Sequence, residues 1–271
     1  MPQLGRMEWL RRLARLFYPH GQIRRVWRGP GRSLRFVTTP GSSATYAFFL
    51  ALSWVRRIQK EIPPGSVLYD VGGNTGHIAM LLARIAGTTG QVYSFEPSPA
   101  PREVFARNLA LNPDIAVSIV PVALADRTGS LSFVVPENRD SEGALLLASH
   151  NHAQRSDLRQ ITVQSITLDE FVRTHAIPHF IKIDVEGAAE WVLAGARQLL
   201  RDHAPRMYIE LHNTAERDGA WRLLQESGYQ CYTDQGQRIM DLTACWHSPI
   251  WCSRQLDPPT VMAASATGTP P

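Results

Sequence analysis

Between residues 66 and 253, short apolar runs rich in strand formers alternate with helical stretches, and this alternation constrains the fold more than any other feature. Ser66–Val71, Gln91–Phe95, Ile115–Val120, Phe180–Ile183, Met207–Leu211, Tyr229–Thr233 and Ile250–Cys252 read as strands. His77–Ala86, Pro101–Leu111, Ala188–Leu200 and Ala215–Ser227 read as helices between them. Strands separated by helices of this length need crossovers, so the expectation is an α/β fold with a mostly parallel sheet and helices on both faces. Ser130–Val135 and Ile161–Val163 are further strand candidates, separated by the polar stretch Pro136–Gln160. Long loops above a parallel sheet often close over substrates, which makes that stretch a candidate lid. A chain of 271 residues buries roughly 70–75% of its unfolded surface, enough for a sizeable core in one or two domains.

Charge separates the N-terminus from the rest. The formal net charge is +4, but nine arginines from Arg6 to Arg35 face one acid, Glu8, and the remainder of the chain is slightly acidic. A basic face spanning the protein is therefore not indicated, and no nucleic-acid partner is expected. Met7, Leu10, Leu13, Ala14 and Phe17 fall at helical spacing with arginines between them. Such a helix packs on its own domain or makes peripheral contact with an anionic membrane. Gly29-Pro30-Gly31 breaks the chain, and Tyr46–Ile62 reads as a second helix ended by Pro63-Pro64-Gly65. The expected division is thus a basic helical extension over residues 1–62, a principal domain over 63–256 and a disordered Pro/Ala/Ser/Thr-rich tail over 257–271. The first residues present no continuous apolar h-region, and runs such as Ala47–Leu52 are too short to span a bilayer. Cys231, Cys245 and Cys252 show no CxxC spacing, which suits small apolar side chains in a reducing compartment. These features together give a cytoplasmic location as the expectation.

The sharpest local signal is Asp70-Val71-Gly72-Gly73-Asn74-Thr75-Gly76, lying between a strand and a helix. In open α/β sheets ligands bind beyond the carboxyl ends of strands, and glycines there permit close backbone approach. Glu96 ends the next strand, where a carboxylate can accept hydrogen bonds from vicinal ribose hydroxyls. Loop and carboxylate together point to an adenosine cofactor, either NAD or S-adenosylmethionine. NAD sites favour G-x-G-x-x-G, whereas here Asn74 stands where the second glycine of that pattern would be. Asp70 would also repel a pyrophosphate and welcome a sulfonium, which favours S-adenosylmethionine.

These residues resemble those of the FkbM-type methyltransferases. The resemblance runs from about Val67 to Leu211 and is carried by the glycine loop, Phe95-Glu96-Pro97, Arg107-Asn108-Leu109 with Asn112, Val122-Ala123-Leu124-Ala125-Asp126, Thr167-Leu168-Asp169 and Ile181-Lys182-Ile183-Asp184-Val185-Glu186-Gly187. It implies a class I methyltransferase (Rossmann-like) fold with a seven-stranded sheet whose last strand is antiparallel. Gly72, Gly73, Asn74, Thr75 and Gly76 would line the methionine part of the cofactor, Glu96 would hold the ribose, and Asp126 would lie near the adenine. Gly73 replaces a more usual alanine, and His77 stands where an aromatic is common. Relatives commonly O-methylate sugars or natural products, which implies a hydroxyl acceptor. The rival expectations are an NAD(P)-dependent oxidoreductase and a catalytically silent domain that binds the cofactor or a partner.

Methyl transfer needs aligned donor and acceptor, and an alcohol acceptor also needs a nearby base. Lys182, Asp184 and Glu186 share one side of their strand by alternation. Asp184 is the first candidate base, helped by Glu186 or by His212 from the neighbouring strand end. The competing reading has Lys182 paired with Asp184 or Glu186, merely shaping the pocket. Asp184, Glu186, Glu210 and His212 could ligate a divalent cation, but such clusters are often polar pocket walls, and no metal is expected. His150-Asn151-His152 reads as a solvated loop, and Trp191, Trp221 and Trp246 as core or interface aromatics.

Overall fold

The computed structural model describes residues 21–38 apart from Arg28, 53–136, 144–145, and 158–254 apart from Cys245 and His247. The strands in chain order are β1 (Ile23–Arg25), β2 (Arg35–Val37), β3 (Val67–Val71), β4 (Gln91–Phe95), β5 (Ser118–Val120), β6 (Ala123–Leu124), β7 (Gly129–Pro136), β8 (Ala144–Leu145), β9 (Leu158–Ile166), β10 (Phe180–Ile183), β11 (Arg206–Ile209), β12 (Gln230–Tyr232), β13 (Arg238–Ile239) and β14 (Ile250–Ser253). The helices are α1 (Ser53–Glu61), α2 (His77–Ala86), α3 (Pro99–Ala110), α4 (Leu168–Phe171), α5 (Ala189–Ala194), α6 (Arg197–His203) and α7 (Thr214–Glu226).

The main sheet has the order β13-β12-β14-β11-β10-β3-β4-β5. The five strands from β11 to β5 pair in parallel, and β14 runs antiparallel between β11 and β12. This is the expected class I arrangement, with the two-residue β13 added as an eighth strand at the edge. Every residue of β3 and β10 is buried, as in a central strand covered on both faces. Alternation sends Val67, Tyr69 and Val71 into one apolar cluster with α5 to α7, and Leu68 into the other with α2. Strand order reverses between β3 and β10, so a crevice belongs beyond their carboxyl ends.

Three regions differ from the sequence expectation. First, β7 and β9 leave the main sheet and pair antiparallel in a four-stranded sheet of order β6-β9-β7-β8. β7 buries Leu131, Phe133, Val134 and Val135 while Ser130 stays exposed and Ser132 half-buried, so the ribbon builds its own small core with Val163 of β9. Most of the candidate lid between them lies outside the described residues, as does His150-Asn151-His152.

Second, the helix expected over Ala188–Leu200 is two helices, α5 and α6. A side chain at Gly195 would come within 2.0 Å of the Ala125 carbonyl oxygen, so the chain passes there only as glycine. Asp169 then accepts the Gln198 and Leu199 amides at 2.9 and 2.8 Å, opening α6 as a separate helix.

Third, the segment expected as a helical extension contains the antiparallel β1–β2 hairpin. Its Val26, Leu34 and Phe36 belong to the core cluster that also holds α2. Asn108 and Asn112, both buried on or just after α3, accept the Val37 and Arg35 amides at 2.8 Å each. Of the second expected helix the described part is α1, while the basic helix over Met7–Phe17 and the tail over 257–271 lie outside the described residues. Cys231 and Cys252 face each other across β12 and β14 with Sγ atoms 3.3 Å apart, buried as small apolar residues, whereas Cys245 lies outside the described residues.

Candidate functional site

The loop after β3 is held tightly against its neighbours. Gly72 adopts φ +86°, and a Cβ there would meet the Asp184 carbonyl oxygen at 1.9 Å, so only glycine lets β3 pass the end of β10. The Gly72 and Gly73 amides donate to the Phe95 carbonyl at 3.0 and 2.9 Å. Asn74 sits in the left-handed region at φ +47°, and its amide donates to Glu96 Oε2 at 2.8 Å. The Ser98 amide donates to Glu96 Oε1 at 2.8 Å. Each carboxylate oxygen accepts about two hydrogen bonds, so Glu96 keeps acceptor capacity on both atoms for a ligand's paired hydroxyls. Burial pushes its carboxyl up to about 7, against the pull of the Ser98 and Asn74 amides and of Arg102.

Beneath the loop lies a row of polar side chains spanning three strands. The register pairs Lys182 on β10 with Asp70 on β3, and Asp70 with Ser94 on β4. Lys182 Nζ is 3.4 Å from Asp70 Oδ1 and 3.3 Å from Asp184 Oδ2, and it donates to the Gly72 carbonyl at 3.4 Å. Ser94 Oγ donates to Asp70 Oδ2 at 3.0 Å. Lys182 and Asp70 are wholly buried, at 3% and 0% side-chain exposure. Burial works against the Lys182 ammonium, but Asp184 and Asp70 outweigh it and hold the group as a cation. Burial raises the Asp70 carboxyl, opposed by Lys182 and Ser94.

Beyond β10 and β11 the chain gathers Asp184, Glu186 and His212, whose potential ligating atoms all lie within 4.8 Å of one another. His212 Nε2 is 3.3 Å from Asp184 Oδ1 and 3.7 Å from Glu186 Oε2. Behind it, Nδ1 faces Glu216 Oε2 at 3.7 Å. Glu216 is buried because it closes the start of α7: Asn213 Oδ1 accepts the Glu216 amide, and Glu216 accepts the His212 and Ala189 amides. Burial would lower the His212 imidazole, but Asp184, Glu216 and Glu186 raise it to about 10. Burial would raise Asp184, but Lys182 and His212 hold its carboxyl well below the usual range. Asp184 is therefore a carboxylate and His212 an imidazolium at neutral pH. The three residues have the ligand types for a divalent cation, yet Asp184 is already flanked by two side-chain cations.

Residues 70–231 match the family described as the methyltransferase FkbM domain. The chain belongs to the FkbM methyltransferase family. Similar solved structures include an FkbM methyltransferase from Methylobacillus flagellatus KT, with 16% identity and a TM-score of 0.45 over 69% of this chain and 43% of that one. The chain thus spans less than half the length of that protein. Others are an S-adenosylmethionine-dependent O-methyltransferase from Thermotoga maritima (12% identity, TM-score 0.46, 87% and 78% covered) and a precorrin-6y C5,15-methyltransferase from Geobacter metallireducens GS-15 (12% identity, TM-score 0.46, 80% and 91% covered). No curated protein matches the chain. Family membership rests on the sequence match, and the class I fold on the strand order.

In this member of the FkbM family, Gly72 and Asn74 retain surface at the crevice while Gly73, Thr75 and Gly76 are buried. Thr75 Oγ1 bonds to His77 Nδ1 at 2.8 Å, and its carbonyl accepts from Asn108 at 2.8 Å, so its polar groups shape the loop from within. Asp70 requires a correction. It was expected beside the ligand, but it has no exposed surface and its charge faces Lys182, so it cannot itself select a sulfonium over a diphosphate. Asp126 pairs with Arg127 at 3.6 Å and has no hydrogen bond or ion pair to the loop or to Glu96. Asp184, Glu186 and His212 are brought together as expected from their strand ends. Glu210, named from the sequence only as a possible ligand, does not join that cluster; burial and then Asp184 push its carboxyl up to about 7. Sequence reasoning missed Glu216, although the Asn213-Thr214-Ala215-Glu216 spacing is a helix-start signal.

Proposed function

We propose that this chain is an S-adenosylmethionine-dependent methyltransferase that methylates a hydroxyl of a sugar, glycan or secondary metabolite. The observation that carries the reading is the position of Lys182, within 3.4 Å of Asp70 and of the Gly72 carbonyl and within 3.3 Å of Asp184. One buried cation thereby links the candidate cofactor loop to the candidate acceptor cluster. Gly72, Asn74 and Glu96 would hold the cofactor, which supplies an electrophilic methyl group on a sulfonium. The residues then have a positioning task, because in-line displacement depends chiefly on alignment.

Asp184 accepts the acceptor's hydroxyl hydrogen and takes its proton. A carboxylate held at low pKa is a weak base, but a hydroxyl oxygen becomes strongly acidic as its new carbon bond forms, so a weak base suffices. His212 and Lys182 fix the Asp184 carboxylate from two sides, and Glu186, nearly half exposed, stands at the solvent side of the cluster. Titration calorimetry with S-adenosylhomocysteine and with NADH tests the cofactor half. Binding of S-adenosylhomocysteine is expected, and tight NADH binding without it would refute the reading.

A further inference from the structure

We propose that the outer face of the β1–β2 hairpin docks on an anionic lipid bilayer. Along the first strand and the two residues after it, Ile23, Arg25 and Trp27 are exposed while Arg24 is half-buried and Val26 fully buried. Strand alternation therefore sets an isoleucine, an arginine and a tryptophan in line on one face. Arg35 is exposed directly opposite Arg25 in the register, and Arg32 is exposed in the connecting turn. Trp27 is 84% exposed and Ile23 57%, which is unusual for side chains of this size.

The opposite face is anchored. Val26, Leu34 and Phe36 lie in the core, Phe36 stacks on His77 at 4.3 Å between ring centres, and Asn108 and Asn112 hold the β2 amides. The outer face is thus presented by a fixed ribbon, and docking needs no ordering of that ribbon.

The chemistry of the face selects the partner. A tryptophan is at home in the headgroup region of a bilayer, and arginines beside it meet anionic headgroups. Among the described residues no carboxylate forms an ion pair with Arg25, Arg32 or Arg35, and the Arg25 guanidinium donates to the uncharged Ser33 hydroxyl at 2.9 Å. Nucleic acid would use the same cations and the indole, but it gains nothing from Ile23. The chain beyond residue 36 is slightly acidic and offers no basic track for a polymer to follow. This inference does not depend on the reaction proposed above.

Co-sedimentation of the full chain with phosphatidylcholine vesicles, with and without phosphatidylserine, tests it. Binding is expected only with the anionic lipid. Each arginine at such a surface contributes about fivefold in partitioning, so Arg25→Gln with Arg35→Gln should weaken binding roughly twenty-fivefold. Trp27→Ala should weaken it several-fold at unchanged salt dependence, and both variants should keep the parent thermal midpoint because the altered side chains are exposed. Binding indifferent to phosphatidylserine, or unchanged in both variants, overturns the proposal. So does binding lost on deleting residues 1–20 yet insensitive to the hairpin substitutions, or an RNA oligonucleotide that outcompetes the vesicles.

Discussion

Replacing Lys182 by methionine removes the one side-chain cation among the described residues within ion-pair distance of Asp70, while keeping most of the aliphatic stem. Asp70 has no exposed surface, so it cannot turn to water, and Ser94 alone cannot compensate a buried carboxylate. Its escape is to take up a proton. From an ordinary value of 3.8, doing so at pH 7 costs about 4 kcal/mol at 1.36 kcal/mol per unit, which caps the penalty. The cap agrees with the roughly 3–5 kcal/mol seen when one partner of a buried pair is removed. For a domain of this size it corresponds to a thermal midpoint lower by about 8–16 °C.

The sign of the pH dependence follows. Asp70 in the variant has a raised folded-state pKa, so the native state binds a proton that the unfolded state has lost. The variant's deficit therefore grows as pH rises through the window above 3.8 and shrinks on acidification, to about 2 kcal/mol at pH 5. Chemical denaturation of the wild type, Lys182→Met, Asp70→Asn and the double variant across pH closes a thermodynamic cycle. The double variant should recover most of the loss. A Lys182→Met protein within about 1 kcal/mol of wild type at pH 7, or a double variant no better than the single one, would refute a charge-compensating role.

Glu96 gives a second pH signature: only its ionised form is a pure acceptor, so S-adenosylhomocysteine affinity should fall as pH drops below about 7. Glu96→Gln should flatten that profile in calorimetry and cost roughly ten- to a hundredfold in affinity, the worth of a hydrogen bond to a charged group. Asp184→Asn should lower turnover by about two orders of magnitude or more while leaving S-adenosylhomocysteine affinity within a few-fold; full turnover would remove Asp184 from catalysis. Methyl transfer should survive EDTA, since Lys182 and His212 already balance Asp184, and an EDTA-sensitive activity restored by a divalent ion would reverse that view. Gly72→Ala should abolish binding of S-adenosylhomocysteine in calorimetry, because its Cβ would overlap the Asp184 carbonyl at 1.9 Å.

The order of strands and helices, the glycine loop and the strand-end acids were legible in the sequence because local periodicity and residue type determine them. Gln91–Phe95, Phe180–Ile183 and His77–Ala86 keep their expected bounds for that reason. The family was legible too, since its motifs are short and ordered along the chain. What only the tertiary structure decided is which charges meet. Asp70 and Lys182 are 112 residues apart, and nothing local says that β10 lies beside β3 in a register that buries both. That pairing turned a presumed ligand-side carboxylate into the counter-charge of a lysine. The hairpin before α1 was hidden for the same reason: its apolar face is short, and it becomes a stable ribbon only when Asn108 and Asn112 hold its amides. Chemistry-bearing residues announce themselves by type, but their partners are set by long-range packing that no local pattern encodes.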